Sequence, residues 1–219
     1  MDLEKFKYKI FGRFKGRKNN QKFSESFINK YKLNIKADLE INNYNILDIG
    51  SGSGENSILL ADQFNKSFII ACDLFHDGNL NLCNILSKEN KRNVRLYEGN
   101  VLELLDSLES NNIFNEIWIL FPDPWPKNRH HKRRLINDLF LRKLHSFLCK
   151  SGKLMIASDS HSYIQAILKT IFNNQEIFLW FNQEVEKWNY DQLNLPKTKF
   201  YKKALKSNRK SIYFELYKI

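Results

Sequence analysis

Long apolar runs are missing from this chain. None approaches the roughly 18 residues of a membrane-spanning helix. The opening MDLEKFKYKIFGRFKGRK places a charge at every second or third residue, which excludes a secretory signal. Cysteine is scarce. Cys72, Cys83 and Cys149 lie far apart and form no CxxC or Cys/His ligand spacing. That excludes a disulfide scaffold or zinc ribbon and predicts reduced, packed thiols in a soluble cytoplasmic protein with no metal. No internal repeat is present. Proline and glycine are few but concentrated: three of four prolines fall at 122, 124 and 126, and three of eight glycines at 50, 52 and 54. Acid is outnumbered, with 24 Asp and Glu against 35 Lys and Arg, for a net charge of +11. An excess of that size favours a polyanionic partner.

Hydrophobic residues make up 42% of the 219, enough for a core, and the length suits one domain. Residues 1–22 are basic without a settled period and read as a flexible arm; residues 23–219 read as a single domain. A weak helical pattern (Phe27, Ile28, Tyr31, Leu39) leads in. Apolar runs stopped by Gly, Asp or Pro then predict strands at 44–50, 67–73, 93–99, 114–122, 153–159, 175–181 and 210–219. Helices are predicted at 55–64, 75–89, 101–108, 133–152 (closed by Gly152) and 161–172, with a looser basic segment at 183–209. Strand–helix units at this rhythm predict an α/β fold: a doubly wound, mostly parallel seven-stranded sheet with helices on both faces. Ligands on such sheets bind beyond the carboxyl ends of the strands.

Those strand ends carry the chemistry. The first reads LDIGSGSGE, with Asp48, Gly50, Gly52 and Gly54. A dinucleotide fingerprint GxGxxG needs glycine at 55, where Glu55 stands; a carboxylate there repels a pyrophosphate seated on the helix N-terminus. The pattern suits a phosphate-free, cationic ligand, S-adenosylmethionine (SAM). Asp73 ends the second strand, placed to accept both ribose hydroxyls. Asn100, after the third, either meets an adenine edge or caps the next helix. The fourth strand delivers FPDPWPKNRHHKRR. Its prolines fix φ and hold Asp123 in one shape, and Trp125 offers a flat face. The cations of NRHHKRR, read as a helix start, oppose the helix dipole and so suggest a ligand. His130 and His131 lack acids or cysteines at ligand spacing and read as RNA-facing or solvent-exposed; Trp180 and Trp188 read as packing.

Together these residues resemble the bacterial tRNA (guanine-N7)-methyltransferase family, SAM-dependent enzymes of class I with a Rossmann-like fold. FPDPWPKNRHHKRR is close to its F-x-DPW-x-K-x-RH-x-KRR signature, with LDIGSGSGE and PKTKFY (196–201) in support. The resemblance implies SAM contacts at Asp48, Gly50, Gly52, Asp73, Asn100 and Asp123. It implies guanine or tRNA contacts at Lys127, Asp159, Thr198, Lys199, Phe200 and Tyr201, with Asp123 catalytic. The implied reaction methylates N7 of the variable-loop guanine at position 46 of tRNA, by a monomer or homodimer free of membranes. Departures are Asp for the family's Glu at 48 and 73, Asn for Asp at 100, and Tyr for Glu at 201. Arg129, Lys132, Arg133 and Arg134 are expected to grip phosphates, with the arm and 183–209 extending the grip. An amino-group methyltransferase acting on adenine N6 or protein glutamine, and a non-catalytic RNA-binding protein, are the alternatives.

Overall fold

The computed structural model describes residues 25–34, 38–39, 44–108, 111–192 and 195–219. The basic arm expected over 1–22 lies outside them. The chain divides into two compact units, Met1–Glu109 and Ser110–Ile219.

The first unit holds α1 (Glu25–Asn29), β1 (Asn45–Ile49), α2 (Glu55–Gln63), β2 (Phe68–Asp73), α3 (His76–Lys88), β3 (Val94–Glu98) and α4 (Val101–Ser107). β1 pairs parallel with β2, and β2 with β3. Every residue of β1 is buried, as are the first five of β2. Such strands read as continuous apolar runs because helices cover both faces. In β3 burial alternates, with Val94 and Leu96 buried and Arg95 and Tyr97 half-buried.

The second unit holds β4 (Phe114–Leu120), α5 (Asp138–Phe147), β5 (Leu148–Ser158), α6 (His161–Phe172), β6 (Phe178–Trp180), α7 (Lys199–Lys206) and β7 (Ile212–Lys218). Its strands run β4-β5-β7-β6: β4 and β5 are parallel, while β7 is antiparallel to both β5 and β6. Trp180 and Trp188 pack on each other and on Phe214, as the packing reading expected. Among the described residues no helix is long and apolar enough to cross a membrane.

Two expectations need correction. The helix expected over 133–152 is three structures: a 3-10 helix at Asn128–Arg133, α5, and the start of β5. Asn137 fixes the true helix start by accepting from the Phe140 N–H at 3.1 Å, with Asp138 in the first turn. Gly152 caps nothing. It lies within β5, where the pairing with β4 shifts register between Leu148 and Lys153; there Ser151 takes φ +58° and a Cβ at Gly152 would stand 2.8 Å from the Cys149 carbonyl oxygen. The basic run therefore does not oppose an α-helix dipole. The segment 183–209 is also less loose than expected, since it contains α7 and two 3-10 turns, Val185–Trp188 and Tyr190–Gln192.

Candidate functional site

In the first unit the β1–α2 loop turns on three left-handed glycines: Gly50 (φ +74°), Gly52 (+58°) and Gly54 (+88°). A side chain would be strained at each. A Cβ on Gly50 would meet nothing within 4 Å, so open space lies over the loop. The Asp73 carboxylate at the end of β2 holds the loop, accepting from the Gly52 N–H at 2.7 Å and the Phe75 N–H at 2.8 Å. Asp48 lies beneath, 2% exposed, and accepts from Asn56 Nδ2 (2.9 Å) and Ser57 Oγ (2.6 Å). Burial is the main reason its carboxyl rises from 3.8 to about 6; the two hydrogen bonds oppose the rise, and Asp73 and Glu55 add to it. Asn100 caps α4 through its Oδ1, which accepts from the Leu102 N–H at 2.9 Å.

α3 supplies two residues that the sequence reading missed. A Cβ on Gly78 would stand 2.1 Å from the Gly52 carbonyl oxygen, so glycine there lets α3 approach the loop backbone. Asn79, fully buried, donates to the Asp73 carbonyl oxygen (3.1 Å) and to Glu98 Oε2 (3.2 Å). The signal available was a glycine inside a helical pattern, a placement that costs about 1 kcal/mol against alanine unless packing requires it.

These residues suit SAM. An acid-lined glycine cradle (Asp48, Glu55, Asp73) repels phosphate but favours a ligand bearing sulfonium and ammonium charge. Asp48 is buried between two neutral donors, and a cation bound nearby would offset the cost of its charge. The Ser51 hydroxyl in the same loop is buried with no hydrogen-bond partner among the described residues.

In the second unit the proline loop is held in an uncommon backbone shape. Phe121 takes φ +55° and Trp125 φ +43°, positions where bulky residues are rare and strained. Phe121 donates its N–H to the Ala157 carbonyl (2.8 Å) and packs its ring on Tyr190 and Tyr201 at 5.3 and 6.4 Å. Arg133 lies 5.0 Å over the Trp125 ring and His130 meets its edge. Between these anchors Asp123 is exposed, as are Lys127, Arg129 and Lys132. Desolvation, followed by the positive charge of Arg133, Lys127 and Lys132, holds the His130 imidazole below its ordinary value.

The remaining expected site residues divide. Lys199 and Phe200 are exposed on α7. Thr198 is buried and caps that helix, accepting from the Tyr201 N–H at 3.2 Å. Tyr201, 6% exposed, packs on Tyr190 at 5.0 Å, and its phenol is raised by a hydrogen bond to Asp191. Its ring thus fills the aromatic cluster that begins at Phe121. Asp159, after β5, accepts from Arg209 Nε at 2.8 Å. Arg134 departs from its expected phosphate-gripping role. It is buried, and donates to the Pro124 carbonyl and to Ser162.

Comparison with known proteins adds the family. The family model described as "Putative methyltransferase" matches residues 42–214. The tRNA (guanine-N(7)-)-methyltransferase of Agrobacterium fabrum is 32% identical over 167 residues, 76% of this chain and 71% of its own length. That of Buchnera aphidicola from Acyrthosiphon pisum is 31% identical and covers 93% of this chain and 89% of its own. Among solved structures, an rRNA methylase from Streptococcus thermophilus has TM-score 0.54 at 15% identity, covering 89% of this chain and 93% of that one. A "putative methyltransferase" from Streptococcus mutans in complex with SAH has TM-score 0.52 at 12% identity, covering 89% and 94%. These two carry the fold alone: a Rossmann-like, mostly parallel sheet of seven strands, here in the order 3-2-1-4-5-7-6. The chain belongs to the tRNA (guanine-N7)-methyltransferase family of SAM-dependent class I enzymes.

Proposed function

We propose that the chain transfers a methyl group from SAM to N7 of a guanine in tRNA, the variable-loop guanine at position 46. The observation that carries the reading is Asp123, an exposed carboxylate on a loop fixed by two left-handed bulky residues and followed by exposed cations. The first unit's Asp48, Gly50, Gly52, Asp73 and Asn100 contact the cofactor, with Asp123 completing the set. Lys127, Asp159, Lys199 and Phe200 contact the RNA. Thr198 and Tyr201 act from beneath, by setting α7.

SAM supplies an electrophilic methyl carbon on a positively charged sulfur. N7 of guanine has a lone pair and no hydrogen, so the displacement requires no general base. The protein's contribution is alignment. Asp123 and Asp159 accept from guanine N1–H and the amino group, which pins the base and enriches its imidazole edge. A rigid loop does this at low entropic cost, because the strain at Phe121 and Trp125 is borne by the fold before substrate arrives.

The test is incubation with labelled SAM and bulk tRNA, followed by nucleoside analysis and chain cleavage at 7-methylguanosine. The expected product is 7-methylguanosine at position 46 alone. Asp123→Ala is expected to lower kcat by at least 100-fold while RNA affinity stays within a few-fold, in line with losing one positioning contact. Full methylation by that variant would refute the assignment of Asp123, and 6-methyladenosine as product would move the enzyme to the amino-group class.

A further inference from the structure

The last cation of the signature run does not face solvent. Arg134 is 7% exposed. Its Nε donates to the Pro124 carbonyl oxygen at 2.9 Å, Nη1 to the Ser162 carbonyl oxygen at 3.0 Å, and Nη2 to Ser162 Oγ at 2.8 Å. The guanidinium lies 4.9 Å over the Tyr163 ring, whose hydroxyl accepts from the Ile136 N–H at 2.9 Å. These acceptors are neutral oxygens. Burying a cation against neutral oxygens costs more than burying an apolar side chain of the same volume. What the guanidinium offers in return is a planar fork that fixes two segments at once.

The two segments are the ones that carry the acceptor carboxylates. Pro124 follows Asp123 directly. Ser162 lies in the first turn of α6, three residues past Asp159. We propose that Arg134 is a positioning residue for the methyl acceptor, a buried brace that fixes the spacing of Asp123 and Asp159 by tying Pro124 to Ser162. The proposal rests on the reading of those two carboxylates given above. It separates Arg134 from its neighbours Lys132 and Arg133, which leave the same run toward solvent and the Trp125 face.

The brace makes a demand that a phosphate contact does not. Lysine keeps the charge but has no fork, so it cannot serve Pro124 and Ser162 together. Arg134→Lys is expected to lower kcat about 100-fold, the scale of an ångström-sized misplacement. KM for tRNA, SAM affinity by calorimetry and Tm are expected to stay close to the parent's. Ser162→Ala, which keeps the carbonyl acceptor, is expected to lower kcat by about 3- to 10-fold. In Arg134→Ala, millimolar guanidinium chloride is expected to restore kcat where sodium chloride at equal ionic strength does not.

Three results would overturn the brace. One is parental kcat in Arg134→Lys. Another is a raised KM with a flatter salt response and unchanged kcat, which would return Arg134 to the phosphates. The third is a fall in kcat matched by equal losses of Tm and SAM affinity, with no guanidinium rescue, since that marks general destabilisation. Asp123→Ala separates the two layers. An inactive Asp123→Ala beside a fully active Arg134→Lys sinks the brace alone, and an active Asp123→Ala sinks the reading beneath it.

Discussion

Asp48 is a carboxylate in a place that penalises its charge. It is 2% exposed and held by Asn56 and Ser57, yet at pH 7 its charged form dominates, because burial raises it only to about 6. A carboxyl raised on folding binds its proton more tightly in the folded state than in the unfolded one. Stability is therefore lost as pH rises from about 4 to 6 and stays lower above. At 1.36 kcal/mol per pH unit, the rise from 3.8 to about 6 corresponds to about 3 kcal/mol. Asparagine can keep both hydrogen bonds, accepting from Asn56 and donating to Ser57 Oγ, without the charge. Asp48→Asn is expected to stabilise the protein by about 1–3 kcal/mol at pH 7.5 and by much less at pH 4.5. SAM affinity should fall at least tenfold, as a cationic ligand loses its buried counter-charge. Urea unfolding at the two pH values and calorimetry read both effects; an equal gain at both pH values would refute the account. If both effects are seen, Asp48 trades stability for the proposed cofactor contact.

At the scale of elements, α7 is where the sequence was least informative. Its stripe of lysines reads as a solvated segment, and its buried face is only Tyr201 and Ala204. What makes it a helix lies elsewhere. Thr198 caps it, the Thr198 N–H donates to the Pro196 carbonyl at 2.8 Å, and Tyr190 donates to the same carbonyl at 2.7 Å while stacking near Tyr201. None of these partners is readable from local pattern. Arg134 with Ser162 and Asp159 with Arg209 are the same case, joined across 28 and 50 residues. The parallel strands were legible, since burial on both faces writes itself as apolar runs ended by glycine or acid. The helix expected over 133–152 was misjudged because Leu148 and Cys149 continue an apolar pattern whether the chain coils or extends. For α7 the cap decides. Thr198→Ser keeps the acceptor and is expected to behave as the parent. Thr198→Ala is expected to cost about 1 kcal/mol, a Tm fall of about 2–4 °C, and to raise KM for tRNA several-fold with SAM affinity unchanged. Melting curves and initial rates check this, and an Ala variant with parental KM would detach α7 from RNA binding.

For the molecule as a whole, the net charge of +11 has meaning through where its described part lies. The glycine cradle of the first unit carries Glu55 and Asp73, with Asp48 buried beneath it. The second unit exposes Lys127, Arg129 and Lys132 on one segment and Lys199, Lys202, Lys203 and Lys206 on another. In the proposed reading, the acidic cradle selects a cationic small molecule and the exposed cations a phosphate backbone, which gives each half of the reaction its own sign of charge. Separate signs predict separate salt responses. SAM binding as proposed draws on a buried carboxylate, which mobile ions screen poorly, whereas exposed lysines release counterions when they meet phosphates. Between 50 and 200 mM salt, SAM affinity is expected to change little and tRNA affinity to fall steeply. Each phosphate contact contributes about 0.7–0.9 to the slope of log affinity against log salt. Replacing Lys202, Lys203 and Lys206 with Gln is therefore expected to flatten that slope by about 2, weaken tRNA binding at low salt, and leave kcat at saturating tRNA unchanged. Filter binding across the salt range measures the slope. A triple variant with the parent's slope would place these lysines off the RNA, and the surplus of positive charge on α7 would then serve solubility alone.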